Sequence, residues 1–264
     1  MFTVVDTVTA ANTSTTWTDD GSLTGTHPAT VAQRYYKIVQ EGTDSENTVG
    51  IFKVTAQEGM NLISLPLVSF SNALEDVIGS QVTGADNEGD ADRIWVWNGT
   101  NYEFAWLVGG VGPPFDGLWY TGNNPTTITL GADQGVWLQI RPGHGPVDVY
   151  LLGEVSSANR SIALNVGMNL VGSSYPIAVP LADTNLWESG LAGADNEGDA
   201  ARLWSWIDDH YEFYWLVDGV GAPYDGQWFM GNSPVVRNLE PGKGYWLQVR
   251  EGHAAFTWEY SMPY

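Results

Sequence analysis

Short runs of alternating apolar and polar residues, divided by glycine, proline, asparagine and aspartate, make up most of the chain. A period of two is the mark of half-buried strands. The clearest run is Arg93–Trp97, which puts Arg93, Trp95 and Trp97 on one face and Ile94 and Val96 on the other. A hairpin signal at Asn98 and Gly99 follows, and the next run sets Tyr102, Phe104 and Trp106 against Glu103 and Ala105. Further strands are predicted at 61–67, closed by a proline, and at 118–121, 126–130, 136–140 and 147–152. The stretch 72–78, NALEDVI, has helical spacing, enough for one or two turns. Ahead of these, 2–5, 15–18 and 34–39 are β-branched or aromatic runs separated by turn-rich segments.

The pattern is written twice. GADNEGDA at 84–91 returns letter for letter at 193–200, so Asp86 is answered by Asp195, 109 residues on. ADRIWVW is answered by AARLWSW, NYEFAWLV by HYEFYWLV, GVGPPFDGLWY by GVGAPYDGQWF, and GVWLQIRPGH by GYWLQVREGH. Upstream, GMNLISLPL is answered by GMNLVGSSYP at an offset of 108, which places a one-residue insertion or deletion between the landmarks. The chain is read as a tandem duplication, with homologous units at 58–160 and 161–264 and an N-terminal β segment at 1–57. Each unit is expected to be mainly β, an antiparallel sandwich or barrel with turns about every 8 to 12 residues.

In the N-terminal segment, TTWTDDGS followed by RYYKIV resembles the last strands of fibronectin type III-like domains of large secreted bacterial proteins. A full domain of that class needs about seven strands and about 100 residues. Half a sandwich would leave an apolar face and an open edge. The segment is therefore expected to pack on the first repeat; the alternatives are the stub of a longer domain, or completion by a neighbouring molecule through strand addition.

Charge narrows the partners. Acidic residues outnumber basic ones 31 to 10, a net −21 at pH 7, and such a field repels phosphate backbones and anionic lipid. Neither nucleic acid nor a membrane surface is expected as a partner, and no apolar run reaches the roughly 20 residues of a spanning helix, so no membrane insertion is expected. The absence of cysteine excludes disulfides and cysteine-bearing zinc sites. Thirteen tryptophans against three lysines (Lys37, Lys53 and Lys243) point to an exported protein. FTVVDTVTAA after Met1 has neither a basic start nor an apolar h-region, so no signal peptide is expected there, and a mature piece of a longer chain is the reading.

GMNLISLPL, RIWVW, YEFAW and the closing GKGYWLQV together resemble a β-rich repeat of exported bacterial proteins. In that repeat a G-x-N-L-[IV] opening strand and a G-x-G-[YFV]-W closing strand bracket a unit of about 100 residues, the size of an ordinary domain. The resemblance covers both units. It implies a non-catalytic extracellular accessory or surface module, and it brings no catalytic residues. The second opening strand departs from the pattern, with LVGSSYP in place of LISLPL, so the two units need not pack identically.

Two sets of residues are candidates for chemistry. In the acidic stretch, Asp86, Glu88, Asp90 and Asp92 sit at alternate positions around Gly89, and Asp195, Glu197 and Asp199 repeat them. Such a bend can aim several oxygens at one hard cation, calcium being the candidate. Ala201 stands where Asp92 does, which would weaken a second site. The spacing is not that of an EF-hand loop. The plainer alternative is that these residues cap turns, with Arg93 and Arg202 pairing to carboxylates.

The second set is aromatic. Most of the rings are expected in the core, but Trp119 beside Asp116, and Trp228 beside Asp225, are candidates for stacking on sugar rings or on another protein. Catalysis is not expected. Of His27, His144, His210 and His253, only His144 and His253 match across the copies, each in an R-x-G-H turn, and no serine or carboxylate is placed to complete a triad. Glu103 and Glu212 lack a partner carboxylate at a predictable distance. The sequons at Asn12 and Asn98 carry little meaning in a bacterial chain. Two functions follow as expectations: an extracellular module binding carbohydrate or a protein surface, with calcium as a structural ion, or a filament or surface-layer subunit that self-associates through its N-terminal segment.

Overall fold

The computed structural model describes residues 3–9, 15–40, 43–45 and 47–264. Each unit is built on a six-stranded antiparallel sheet with the same strand order. In the first the order is Gly59–Ser64, Gly135–Ile140, Arg93–Trp97, Tyr102–Leu107, Trp119–Thr121, Asn124–Pro125. In the second it is Gly167–Gly172, Gly244–Val249, Arg202–Ile207, His210–Leu216, Trp228–Met230, Ser233–Pro234. The opening and closing strands of each repeat thus lie side by side, with Leu62 opposite Trp137 and Leu170 opposite Trp246.

A second layer covers one face of each sheet. In the first unit Val49–Ala56 pairs with Val147–Glu154, and Gln33–Tyr36 adds at the outer edge. In the second, Arg160–Leu164 pairs with Phe256–Tyr260. No sheet closes into a barrel, so the sandwich alternative holds and the barrel one does not. Val49–Ala56 precedes residue 58, yet Ala56 is buried in the first core with Val149 and Leu151. It occupies the place that Arg160–Leu164 holds in the second unit.

The N-terminal segment folds back on the first unit. Besides the Gln33–Tyr36 pairing, the Tyr150 hydroxyl donates to Ala29 O at 2.9 Å. Asp19 ties the segment together: its carboxylate accepts from Gly21 N, the Thr24 hydroxyl, Arg34 and the Tyr36 hydroxyl at 2.5–2.9 Å. Residues 3–5 and 15–18 are extended but lie in no sheet; residue 2 and the sequon at Asn12 fall outside the described residues. The predicted strand at 126–130 forms only an isolated bridge, Thr129 to Ala73, and joins no sheet, and the predicted helix is the single turn Leu74–Val77.

The two cores are filled differently. Core positions Ala105, Val136, Val149 and Leu151 of the first unit correspond to Tyr214, Tyr245, Trp258 and Tyr260 of the second, all buried. Trp258 and Tyr260 stack at 4.8 Å, and the Trp258 indole donates to Thr184 O. The first core also takes Leu74, Val77 and Ile78 from its helical turn and the C-cap after it, and the second takes Leu181, Leu186 and Leu191 from the corresponding connection.

The other face of each sheet carries the aromatic ladder, and part of it is buried between the units. Leu62, Trp137, Leu170 and Trp246 form a common cluster, flanked by Met60, Trp95, Trp97, Met168, Trp204 and Trp206. The principal contacts of this cluster come in mirror-image pairs. The Trp97 indole donates to Met168 O at 3.1 Å, and that of Trp206 to Met60 O at 3.0 Å. Trp97 meets Trp246 edge-on at 5.4 Å, and Trp206 meets Trp137 at 5.2 Å. Ile63 bridges Lys243 while Val171 bridges Gln134. This is the reciprocity of an isologous dimer, written into one chain.

Close approach along the seam requires glycine. A Cβ on Gly135 would lie 2.7 Å from Val171 O, and one on Gly244 would lie 2.8 Å from Ile63 O. Ser64 and Gly172 are equivalent positions that face each other, where a Cβ on Gly172 would stand 2.1 Å from the Ser64 Cβ. A residue beside a two-fold axis meets its own counterpart, so only one of the pair can carry a side chain. That accounts for Gly172 in the second opening strand, where the first has Ser64.

Candidate functional site

Each acidic loop folds over the end of the aromatic face that the other unit does not cover. Ala85 and Ala91 pack on Trp106, and Ala194 and Ala200 pack on Trp215. Within the first loop, the Asn87 amide donates to Asp86 Oδ1 at 2.9 Å and to Asp90 Oδ2 at 2.8 Å. Asn196 does the same to Asp195 and Asp199, at 2.9 Å each. Two guanidiniums close the turn. Arg93 donates to Glu88 O at 2.7 Å and approaches Glu88 Oε1 at 3.5 Å, and Arg141 donates to Ala91 O at 3.1 Å. In the second loop Arg202 binds Glu197 O at 3.0 Å, and Arg250 binds Ala200 O at 2.9 Å and also Gly198 O. Arg93 also lies 4.9 Å from the Phe104 ring centroid, and Arg202 4.6 Å from that of Phe213. Burial and the neighbouring guanidinium, Arg141 or Arg250, hold each of these arginines below its ordinary pKa, and the adjacent glutamate partly offsets this.

Asp92 does not belong with Asp86, Glu88 and Asp90. Its side chain is fully buried and points inward, accepting from Thr83 N at 2.8 Å, Arg141 N at 2.7 Å and His144 Nδ1 at 2.8 Å. It pins the acidic loop to the closing R-x-G-H turn. In the second unit Ala201 is buried in its place and His253 is exposed. The difference between the copies therefore concerns an internal anchor, not the strength of a cation site.

The donor set does not fit calcium as one chelate. An amide N–H stands between the two aspartates, the carbonyls are held by arginines, and Asp92 faces away. Among the described residues no group of three or more histidine, aspartate or glutamate side chains is gathered to hold a metal ion.

Trp119 and Trp228 are core residues, 0% and 4% exposed, and the Trp119 indole donates to Gly79 O at 3.0 Å. Neither offers a ring face to a ligand. Their strands follow loops whose tips are exposed, and this is where Asp116 and Asp225 act. Asp116 Oδ1 accepts from Val111 N and Gly112 N at 3.0 Å each, and Asp225 Oδ1 accepts from Val220 N and Gly221 N at 3.0 Å each. The braced turns leave Val111 and Phe115 exposed in the first unit, and Val220 and Tyr224 in the second.

One further ring was not anticipated. Trp187, in the second unit's 181–191 connection, is 39% exposed and lies against Gly226. The signal in sequence was its lack of a counterpart: TNLWESG lies in the stretch between the opening strand and the acidic loop, where the two copies do not match.

A groove of about 430 Å³ runs openly between Asn98, Asp133 and the Arg160–Leu164 strand. The Asp133 carboxylate there is held by Arg160 at 2.7 Å and the Ser174 hydroxyl at 2.6 Å. No helix of the described residues is long and apolar enough to cross a membrane. Compared with known proteins, the chain matches no family profile, no curated protein and no solved structure.

Proposed function

We propose that the chain is a non-catalytic recognition module of an exported bacterial protein, which holds a carbohydrate or a protein surface at loops carried on a rigid two-unit body. The observation that carries this reading is how the apolar residues are divided. The tryptophan ladders are used between the units and beneath the acidic loops, whereas the braced loops present Val111, Phe115, Val220 and Tyr224 to solvent in both copies. Rigid loops with exposed rings suit binding, because little conformational entropy is lost when they engage. An excess of acidic groups favours neutral or cationic partners over anionic ones.

The filament reading gains less support. The strand Gln33–Tyr36, which would have to reach a neighbour, is paired within its own chain. Size-exclusion chromatography with light scattering separates the two readings: a monomer is expected, and a concentration-dependent ladder of polymers would replace recognition with assembly. Binding itself is tested by pull-down on a panel of neutral polysaccharides. Retention by at least one, reduced when Phe115 or Tyr224 is changed to Ala, is the expected result.

A further inference from the structure

We infer that the second unit carries a sugar-binding platform at Trp187 and the Tyr224–Gln227 turn, and that the first unit lacks it. The inference rests on the carbohydrate form of the recognition reading and gives it a place. Among the described tryptophans Trp187 alone is classed as exposed. Its ring covers Gly226, where an added Cβ would lie 2.2 Å from Cε3 and 2.3 Å from Cζ3. Gly226 has φ +82°, a conformation that glycine adopts without penalty, so backbone and ring can approach this closely. A planar ring backed by main chain and partly open to water is rigid, and it offers an apolar surface that the C–H face of a pyranose can cover.

Polar residues adjoin Trp187 and Gly226 along the chain. Asp225 uses one carboxylate oxygen, Oδ1, to brace the loop, and among the described residues Oδ2 meets no hydrogen-bond donor. Glu188 follows Trp187 and is exposed, and the exposed Tyr224 sits two residues before Gly226. A sugar's hydroxyls are donors as well as acceptors, so carboxylates at the rim bind them without needing a counter-charge. The acidic rim selects against uronic acids, sulfated glycans and phosphate esters, which leaves neutral polysaccharides as the ligand class.

The duplication supplies an internal control. At Gly117, the counterpart of Gly226, an added Cβ meets nothing within 4 Å, so no ring lies over it. The first unit keeps the braced turn, the carboxylate of Asp116 and the exposed Phe115 but has no platform.

The test uses the full chain with cellulose, chitin, xylan, galactomannan, laminarin and starch, read by pull-down and by depletion isotherms. Binding to at least one glycan is expected. Trp187→Ala should weaken it by about tenfold or more, a loss of about 1.4 kcal/mol; Trp187→Phe should recover part, and Leu152→Ala, at an exposed side chain outside the binding loops, should leave it unchanged. A thermal melt of each variant confirms folding, which an exposed ring should not disturb. Binding that survives Trp187→Ala but falls with Phe115→Ala overturns the platform and leaves the loop reading standing. No binding to any of the six glycans overturns both the platform and the carbohydrate form of the recognition reading.

Discussion

Because the two units meet about a pseudo-two-fold axis, the side chain at Ser64 and the missing one at Gly172 should be exchangeable. Gly172→Ser alone puts a second Cβ 2.1 Å from that of Ser64, and both atoms are fixed to strand backbone. Overpacking of this kind costs about 1–3 kcal/mol, and displacing Ser64 also strains its 2.8 Å hydrogen bond to Lys243 O, worth about 1 kcal/mol. A total of about 3 kcal/mol is expected, near the top of the range because neither strand can yield alone. Ser64→Gly alone loses that hydrogen bond and adds glycine's backbone entropy, about 2 kcal/mol together.

The double variant Ser64→Gly/Gly172→Ser moves the hydroxyl across the axis. A Cβ at 172 lies 3.3 Å from Gln134 O, and Gln134 is the counterpart of Lys243. A hydroxyl there has a ready acceptor, so the double should lie within about 1.5 kcal/mol of the parent, where additivity would give about 5 kcal/mol. The coupling, about 3.5 kcal/mol, lies just beyond the range usual between contacting residues, as two side chains in direct collision require. In thermal melts Gly172→Ser should fall by about 6–9 °C and the double by under about 4 °C, taking about 2–3 °C per kcal/mol for a chain of this size. A double variant as unstable as the sum of its singles would refute the two-fold argument.

Three further outcomes follow from the geometry. Asp92→Ala leaves Thr83 N and Arg141 N without their buried acceptor and should cost about 3 kcal/mol, read as a lower thermal midpoint; a change below about 1 kcal/mol would show that the anchor is dispensable, as it is at Ala201. Burial would raise the Asp19 pKa, but hydrogen bonds from Tyr36, Thr24, Arg34 and Gly21 N outweigh it and hold the carboxyl well below its ordinary range. A depressed carboxylate contributes stability above its unfolded pKa, about 3.9, and that contribution fades as pH falls below this value. The gap in thermal midpoint between parent and Asp19→Asn should therefore narrow from about pH 5 to pH 3, and a constant gap would refute the assignment. Because amide and guanidinium groups already satisfy the acidic loops, chelation followed by millimolar calcium should leave the midpoint unchanged; a rise that tracks calcium concentration would restore the loops as cation sites.

Much of this architecture is legible in the sequence. The alternation at 93–97 and 102–106 fixed which side chains share a face, because a strand's period of two leaves no other choice. Repeat pairing also exposed the Ser64 and Gly172 difference, although its cause, a self-contact at the axis, exists only in three dimensions. What failed were inferences from residue type without partners. Asp92 alternates with Asp86, Glu88 and Asp90 but sits one step past the bend, where the chain turns inward to meet Arg141 and His144 from the closing turn about fifty residues later. Trp119 and Trp228 looked accessible because each follows an Asp-Gly turn, yet the side chains at those positions point into the core. Strand Val49–Ala56 was grouped with the N-terminal segment because its partner, Val147–Glu154, is distant in sequence.

The placement of the tryptophans also explains which parts of the duplicated chain were free to diverge. In an isologous contact each residue acts twice, once in its own place and once through its counterpart, so a change in one copy must suit the other. Trp97 and Trp206, Trp137 and Trp246, and Met60 and Met168 are accordingly identical pairs. Away from the seam the constraint lifts: the cores exchange aliphatic for aromatic side chains, Asp92 gives way to Ala201, and the 181–191 connection acquires Trp187. A function confined to one copy should therefore be sought where the match breaks, far from the interface. The exposed indole over Gly226 is such a place, whereas the acidic loops, preserved almost letter for letter, are tied to the aromatic face that both units need.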